Sequence, residues 1–503
     1  MAPFSRLVDA SDRCRRGCST RAERDRDSDS LAGHSFRRAG CARSPGSTMR
    51  KLFGTDGVRG VANVEPLTAE TTLKLGRAVA FLFQQQQAKQ QRHRVVIGKD
   101  TRLSGYLLES ALTSGICSMG VDVLLVGPMP TPGLAFLTRS LRADAGVVIS
   151  ASHNPYQDNG IKLFAESGFK FPDEFEQRIE ELIESGRIDT IRPTAKRIGK
   201  AFRVDDAEGR YIEFVKNSIP RGMEFQGVKV AVDCAHGAAY KVAPTVLREL
   251  GADVTVLGDR PNGTNINANC GAVAPAQLQR TVTKIRADIG IAHDGDADRA
   301  VFVDHRGHVV PGDQILAACA FALQRRGQLK GATVVTTVMS NMGLEVALAQ
   351  EGIKTVRTKV GDRYVLERML TGGFNFGGES SGHVIFLDYN TTGDGLITAL
   401  QVLALMQQSG RSLAELAACM DLWPQMLVNV PVARRRELTD IPGYVKQLKQ
   451  AESKLGDKGR ILVRYSGTEP IVRVMVEGEQ KRVVHQLARE LAHTIERALG
   501  EDA

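Results

Sequence analysis

The chain has 503 residues, 42% of them hydrophobic and 24% charged, which is enough for three or four domains of the usual ~100–150 residues and reads as a soluble globular protein. No apolar run approaches the ~20 residues of a membrane helix, so a spanning protein is excluded. The net charge of +9 invites a nucleic-acid reading, but residues 1–48 hold ten Arg against six acidic residues and so carry +4 of it. With one Trp and no basic stripe interleaved with stacking groups, the remaining +5 fits small anionic substrates instead.

Residues 1–48 are rich in Arg, Ser, Asp and Gly and show no hydrophobic period. They are expected to be disordered, or to follow from a start assigned too early. The segment lacks the apolar centre of a signal peptide, and Asp9, Asp12, Glu23, Asp25, Asp27 and Asp29 argue against a mitochondrial presequence. Cys14, Cys18, His34 and Cys41 could be drawn as a zinc site, but no strand or helix pattern flanks them. The other five cysteines are scattered singly, as expected of reduced thiols in a cytoplasmic protein.

From Met49 strands and helices alternate. "QQQQAKQQ" at 84–91 reads as a solvated connection, followed by the strand "RVVIG" and a helix over 104–119 with Leu107, Leu108, Ala111, Leu112 and Ile116 inward. Then come strand "VDVLLVG", helix "TPGLAFLTRSL" and strand "AGVVIS", together a parallel βαβαβ layer. The plan recurs at "VKVAVDCAHGAA" and "ATVVTTVMSNMG", which implies three related α/β domains with mixed or parallel sheets. After "SLAELAACMDLWP", a strand, a helix, two strands around "RYSGTEP" and an amphipathic helix with Val484, Leu487, Leu491 and Ile495 on one face predict a smaller C-terminal α+β domain. The expected limits are 49–205, 206–305, 306–422 and 423–503.

Four stretches carry chemistry. "SASHNP" crowds Ser152, His153 and Asn154 at a strand end. No G-x-S-x-G elbow is present, and adjacent Ser and His side chains project apart, which disfavours a peptidase. Two readings stay open on this stretch alone: Ser152 exchanges a phosphoryl group, or the residues form a plain turn before Pro155. In "AHDGDADR", Asp294, Asp296 and Asp298 alternate with small residues after a buried strand, so three carboxylates can meet at one point and call for a hard cation such as magnesium. An EF-hand is excluded by Arg299 at its sixth position and His305 at its twelfth. "GGESSGH" sets Glu379 and Ser381 between glycines as acceptors for sugar hydroxyls or an amino group. "RYSGTEPIVR" offers Arg464, Ser466, Gly467, Thr468 and Arg473 as a cradle for a phosphate dianion.

Taken with "KLFGTDGVRG", these motifs resemble the α-D-phosphohexomutase family from Met49 to the C-terminus. The resemblance implies four domains around a central cleft, each sending one loop to the substrate. It implies one magnesium ion on Asp294, Asp296, Asp298 and the oxygen of a phosphorylated Ser152. It further implies that His153 and Asn154 shape the loop, that Lys162 and Arg59 contact the phosphoryl group and assist proton transfer, and that His383 belongs with Glu379 and Ser381 in sugar binding. "KVGDRYV" at 359–365 resembles a third-domain substrate loop, although its charges also suit a helix-capping network. Ser380 stands where relatives acting on mannose or glucose phosphates carry Met, so the chain resembles members that interconvert glucosamine 6-phosphate and glucosamine 1-phosphate through a 1,6-bisphosphate, feeding cell-wall precursors. A cytoplasmic isomerase is expected, alone or as a homodimer, with no nucleic-acid or membrane partner. A mannose- or glucose-phosphate mutase of the same family and a magnesium-dependent sugar phosphatase are the rivals.

Overall fold

Strands such as Arg94–Lys99 and Ala145–Ile149 are almost wholly buried because helices cover both faces of their sheet. Val96 and Val148 feed one core, and Val95, Ile97 and Ile149 feed another on the opposite face. The computed structural model describes residues 52–54, 56–86, 92–434, 436–466 and 470–500. Residues 1–48, with Cys14, Cys18, His34 and Cys41, lie outside them, as do Gly467 and Thr468.

Three sheets repeat one four-strand plan. In the first, Arg94–Lys99 lies parallel to Asp122–Pro128 and Ala145–Ile149, and Asp158–Ala165 runs antiparallel to Ala145–Ile149. In the second, Lys229–Asp233 lies parallel to Asp253–Leu257 and Ile289–His293, and Ala300–Asp304 reverses. In the third, Thr333–Thr337 lies parallel to Lys354–Thr358 and Phe376–Gly378, and Val384–Phe386 reverses. Each sheet is therefore mixed: the three strands read from the sequence as a parallel βαβαβ layer are parallel as expected, and a fourth reverses beside them. The eight residues 150–157 are too few for a parallel crossover, so the chain must turn back.

The C-terminal unit is a three-stranded antiparallel sheet, Gln425–Pro431, Ile471–Gly478 and Gly459–Tyr465, packed against the helices Tyr444–Leu455 and Lys481–Leu499. Its core is its own, whereas one continuous apolar cluster joins all three α/β sheets. Two further expectations change. The helix Ala69–Gln86 runs into the glutamine tract, where Gln84 donates to the Met119 carbonyl. Leu107 is 41% exposed, because the buried stripe of the helix Ser104–Ser118 runs through Leu108, Leu112, Gly115 and Ile116, a helical step away. Among the described residues no helix is long and apolar enough to cross a membrane.

Candidate active site

Ser152 sits in the reversal between Ala145–Ile149 and Asp158–Ala165 with φ of 52°, a left-handed conformation that a residue with a Cβ seldom adopts. Its amide donates to Ser150 Oγ at 2.9 Å, and Ser150 Oγ donates to Asp100 Oδ2 at 2.6 Å. Asp100 also pairs with the fully buried Arg102 at 2.8 Å. Burial raises the Asp100 carboxyl, with Arg102 acting against it. Ser152 Oγ donates to Asp294 Oδ2 at 2.6 Å, across from the first sheet to the second. Contrary to the expected divergence, His153 Nδ1 lies 3.3 Å from Ser152 Oγ, since the left-handed turn swings Ser152 back over its neighbour. Burial, then Arg299 and Arg59, lower the His153 pKa to about 4, so the imidazole is neutral at pH 7.

Asp294, Asp296 and Asp298 occupy the second sheet's reversal, between Ile289–His293 and Ala300–Asp304. All three are buried, each offering an oxygen within 4.8 Å of the others. Gly295 makes the approach feasible: a Cβ there would stand 2.5 Å from the Ser152 carbonyl oxygen. Asp296 Oδ2 accepts from Thr131 Oγ1 at 2.7 Å and Lys162 Nζ at 2.9 Å. Buried Asp296 Oδ1 and Asp298 Oδ1 have no hydrogen-bond partner. Burial raises the Asp294 carboxyl well above the ordinary range, and the charges of Asp298 and Asp296 raise it further. Burial acts the same way on Asp298, but Lys162, His383 and Arg299 outweigh it and hold that group well below. Three carboxylates converging in a buried pocket, with Asp296 Oδ1 left without a hydrogen-bond partner, fit a divalent cation such as magnesium.

Lys162 Nζ also lies 3.6 Å from Asp298 and 3.4 Å from Asp56. Burial opposes its charge, yet Asp296, Asp56 and Asp298 raise its pKa, so it is an ammonium. Arg59 pairs with Asp56. Lys170 bridges Asp56 at 2.5 Å and Asp362 at 2.6 Å, drawing the "KVGDRYV" loop to the first sheet. In that loop Asp362 thus ties two sheets together, and Arg363 pairs with Asp173 and donates to the Phe171 carbonyl; neither side chain caps the helix Asp362–Gly372, the alternative to a substrate loop.

In the third sheet's reversal, Ser380 and exposed Ser381 share a cavity of about 320 Å³ with His153, Asp294 and Arg299. Glu379 accepts from the Gly361 amide at 3.1 Å. His383 is 1% exposed, with Nδ1 3.5 Å from Asp298 Oδ1 and Nε2 3.7 Å from Asp362. It therefore stands between the carboxylates of the second-sheet loop and of the "KVGDRYV" loop. In the C-terminal hairpin Arg464 and Arg473 face each other across paired strands, and burial followed by Arg473 lowers the Arg464 pKa. Like charges held opposite one another suit an anion between them. Ser466, at the start of the same turn, is buried.

Sequence reasoning missed Asp56, Asp100, Arg102, Thr131, Lys170 and Asn267, and placed Asp362 only within the "KVGDRYV" loop. "GKDTR" after a buried strand carried a signal for Asp100 and Arg102; the rest join the site only through packing between sheets.

Four domain profiles of the phosphoglucomutase/phosphomannomutase family match the chain in order: alpha/beta/alpha domain I at 50–188, II at 209–307, III at 311–423 and the C-terminal domain at 427–494. With an acidic triad facing a strand-end serine on this architecture, the chain belongs to that family, the phosphohexomutases. It is 58% identical over 451 residues to the phosphoglucosamine mutase of Syntrophotalea carbinolica, covering 90% of this chain and 98% of that one. It is also 58% identical over 455 residues to the phosphoglucosamine mutase of a Geobacter species, covering 90% and 100%. The crystal structure of a phosphoglucomutase/phosphomannomutase family protein from Burkholderia thailandensis superposes with a TM-score of 0.72 at 25% identity, covering 89% and 97%.

Proposed function

We propose that the chain is a phosphoglucosamine mutase that interconverts glucosamine 6-phosphate and glucosamine 1-phosphate, with Ser152 as the phosphoryl carrier. The observation that carries this reading is the 2.6 Å contact between Ser152 Oγ and Asp294 Oδ2 beside a cavity that the third-sheet loop also lines. Ser152 phosphate gives its phosphoryl group to the sugar 1-hydroxyl, whose proton passes to the neutral His153 imidazole. The resulting 1,6-bisphosphate turns around, and Ser152 Oγ takes the 6-phosphoryl group back while the His153 imidazolium returns the proton to the departing sugar 6-oxygen, so neither phosphate nor proton is consumed. Lys162 and Arg59 supply fixed positive charge to the phosphoryl oxygens; as an ammonium, Lys162 is no base. Magnesium held by Asp294, Asp296, Asp298 and the serine phosphate oxygen would neutralise charge on the transferring group. Arg464, Arg473, Ser466, Gly467 and Thr468 would hold whichever phosphate is not reacting, while Glu379 and Ser381 meet the sugar in either orientation.

Turnover on glucosamine 6-phosphate, mannose 6-phosphate and glucose 6-phosphate, with orthophosphate monitored in parallel, tests the reading. Glucosamine 6-phosphate is expected to give the highest kcat/KM without orthophosphate release. A preference for mannose or glucose phosphate would move the chain to another branch of the family, and steady orthophosphate would make it a phosphatase.

A further inference from the structure

The Ser152 turn is gripped through its backbone by two side chains to which neither the motifs nor the mechanism above assigns a task. Arg102 Nη2 donates to the Ser152 carbonyl at 2.9 Å and to the Asn154 carbonyl at 2.9 Å. Asn267 Nδ2 donates to the same two oxygens, at 2.9 Å and 3.1 Å. Each carbonyl has two lone pairs, and each receives two donors, so both are saturated. Arg102 Nη1 adds the Pro155 carbonyl, while its Nε is fixed by Asp100. The two grips come from different places: Arg102 follows the strand Arg94–Lys99 of the first sheet, and Asn267 stands on a loop of the second, its amide bonded to the Ala235 carbonyl at 2.9 Å.

We infer that Arg102 and Asn267 are positioning residues which together lock the Ser152 turn in its left-handed conformation and so hold Oγ on the line to the acidic triad. The inference rests on Ser152 being the phosphoryl carrier. A fully buried guanidinium whose donors go to main-chain oxygens and one aspartate satisfies a charge in an unusual way, and the beneficiary is the one turn that must bring the same oxygen to the same place twice per cycle. Without the four bonds, the backbone of Ser152 is free to relax toward the commoner negative-φ regions, which swings Oγ off Asp294. Because one grip comes from each sheet, the turn is locked only while the first and second units are docked.

The test uses the full chain and follows phosphoryl uptake on Ser152 from glucose 1,6-bisphosphate by intact mass, alongside steady-state turnover. In Asn267→Ala and in Arg102→Lys, which keeps the charge but loses the fork, uptake and kcat are expected to fall about tenfold or more, with KM for the sugar phosphate within about twofold of wild type. Wild-type rates in both variants, or a loss carried by KM at unchanged kcat, would overturn the inference. Should Arg102→Lys fail to fold, Asn267→Ala decides alone. A wild-type chain that accepts phosphate on Ser152 yet does not isomerise glucosamine phosphate defeats the substrate reading and leaves the clamp standing. A fully active wild type matched by Asn267→Ala defeats the clamp alone.

Discussion

Asp296 has one oxygen saturated by Thr131 and Lys162 and the other buried without a partner. The free oxygen is the one available to a cation, and the occupied one keeps the carboxylate from turning away. Asp296→Asn replaces part of that negative charge by an amide that no hard cation favours. The half-saturating magnesium concentration for turnover is therefore expected to rise about tenfold or more, with activity partly recovered at high magnesium. A magnesium titration of the initial rate and a calorimetric binding curve read it; an unchanged titration would remove Asp296 from the ligand set.

Among elements, one rule covers all four motif loops: each is the turn of an antiparallel hairpin. In the three α/β units that hairpin is appended to the edge of a parallel trio, so the loops lie at corresponding ends of their sheets. Two loops touch through backbone, and there glycine is a steric requirement. A Cβ at Gly295 would meet the Ser152 carbonyl oxygen at 2.5 Å and Ile266 Cδ1 at 2.8 Å. Gly295→Ala should cost about 1–3 kcal/mol of stability through overpacking, and slow phosphoryl uptake by pushing the two loops apart. Gly209→Ala, in the helix Ala207–Lys216 with no atom within 4 Å of the added Cβ, is the control. It should leave uptake unchanged and raise stability by roughly 0.5–1 kcal/mol. Thermal unfolding and intact-mass kinetics compare the pair.

Across the whole molecule, one apolar cluster welds the three α/β units while the C-terminal unit keeps its own core. A polar junction ties the two together. Fully buried Glu477 accepts from Arg460 Nε and from the Met342 amide, both at 2.8 Å, and Asn341 bonds the Trp423 main chain. Glu477→Ala strands the Arg460 charge and should cost about 3–5 kcal/mol there. Calorimetry is expected to show the C-terminal unit unfolding in a separate, earlier transition, with phosphoryl uptake by Ser152 retained; a single unshifted transition would deny the junction its role. Beside it, burial pushes the Asp313 carboxyl up to about 6, with the Asn341 amide acting against the rise. The folded state therefore keeps a proton between about pH 4 and pH 6 that the unfolded chain has released, and stability falls as pH rises through that window. Asp313→Asn abolishes this slope, so relative to wild type the variant should gain roughly 1–3 kcal/mol between pH 4 and pH 7 in denaturant unfolding. A pH-independent difference would show that Asp313 is ionised throughout.

Local patterns determined much on their own. Runs of Val and Ile announced covered strands, and the spacing of Asp294, Asp296 and Asp298 announced a cation, because side-chain periodicity and charge crowding act within a few residues. Strand direction was less legible: a buried strand reads the same whether its neighbour runs parallel or antiparallel, so the two strands around "RYSGTEP" were visible while the reversal of Asp158–Ala165 against Ala145–Ile149 after "SASHNP" was not. Tertiary structure alone decided that Ser152 meets Asp294, 142 residues away, that Lys170 joins Asp56 to Asp362, and that Arg102 and Asn267 close on one turn. Those contacts depend on how sheets dock, and docking is set by the summed fit of many apolar side chains that no short stretch contains.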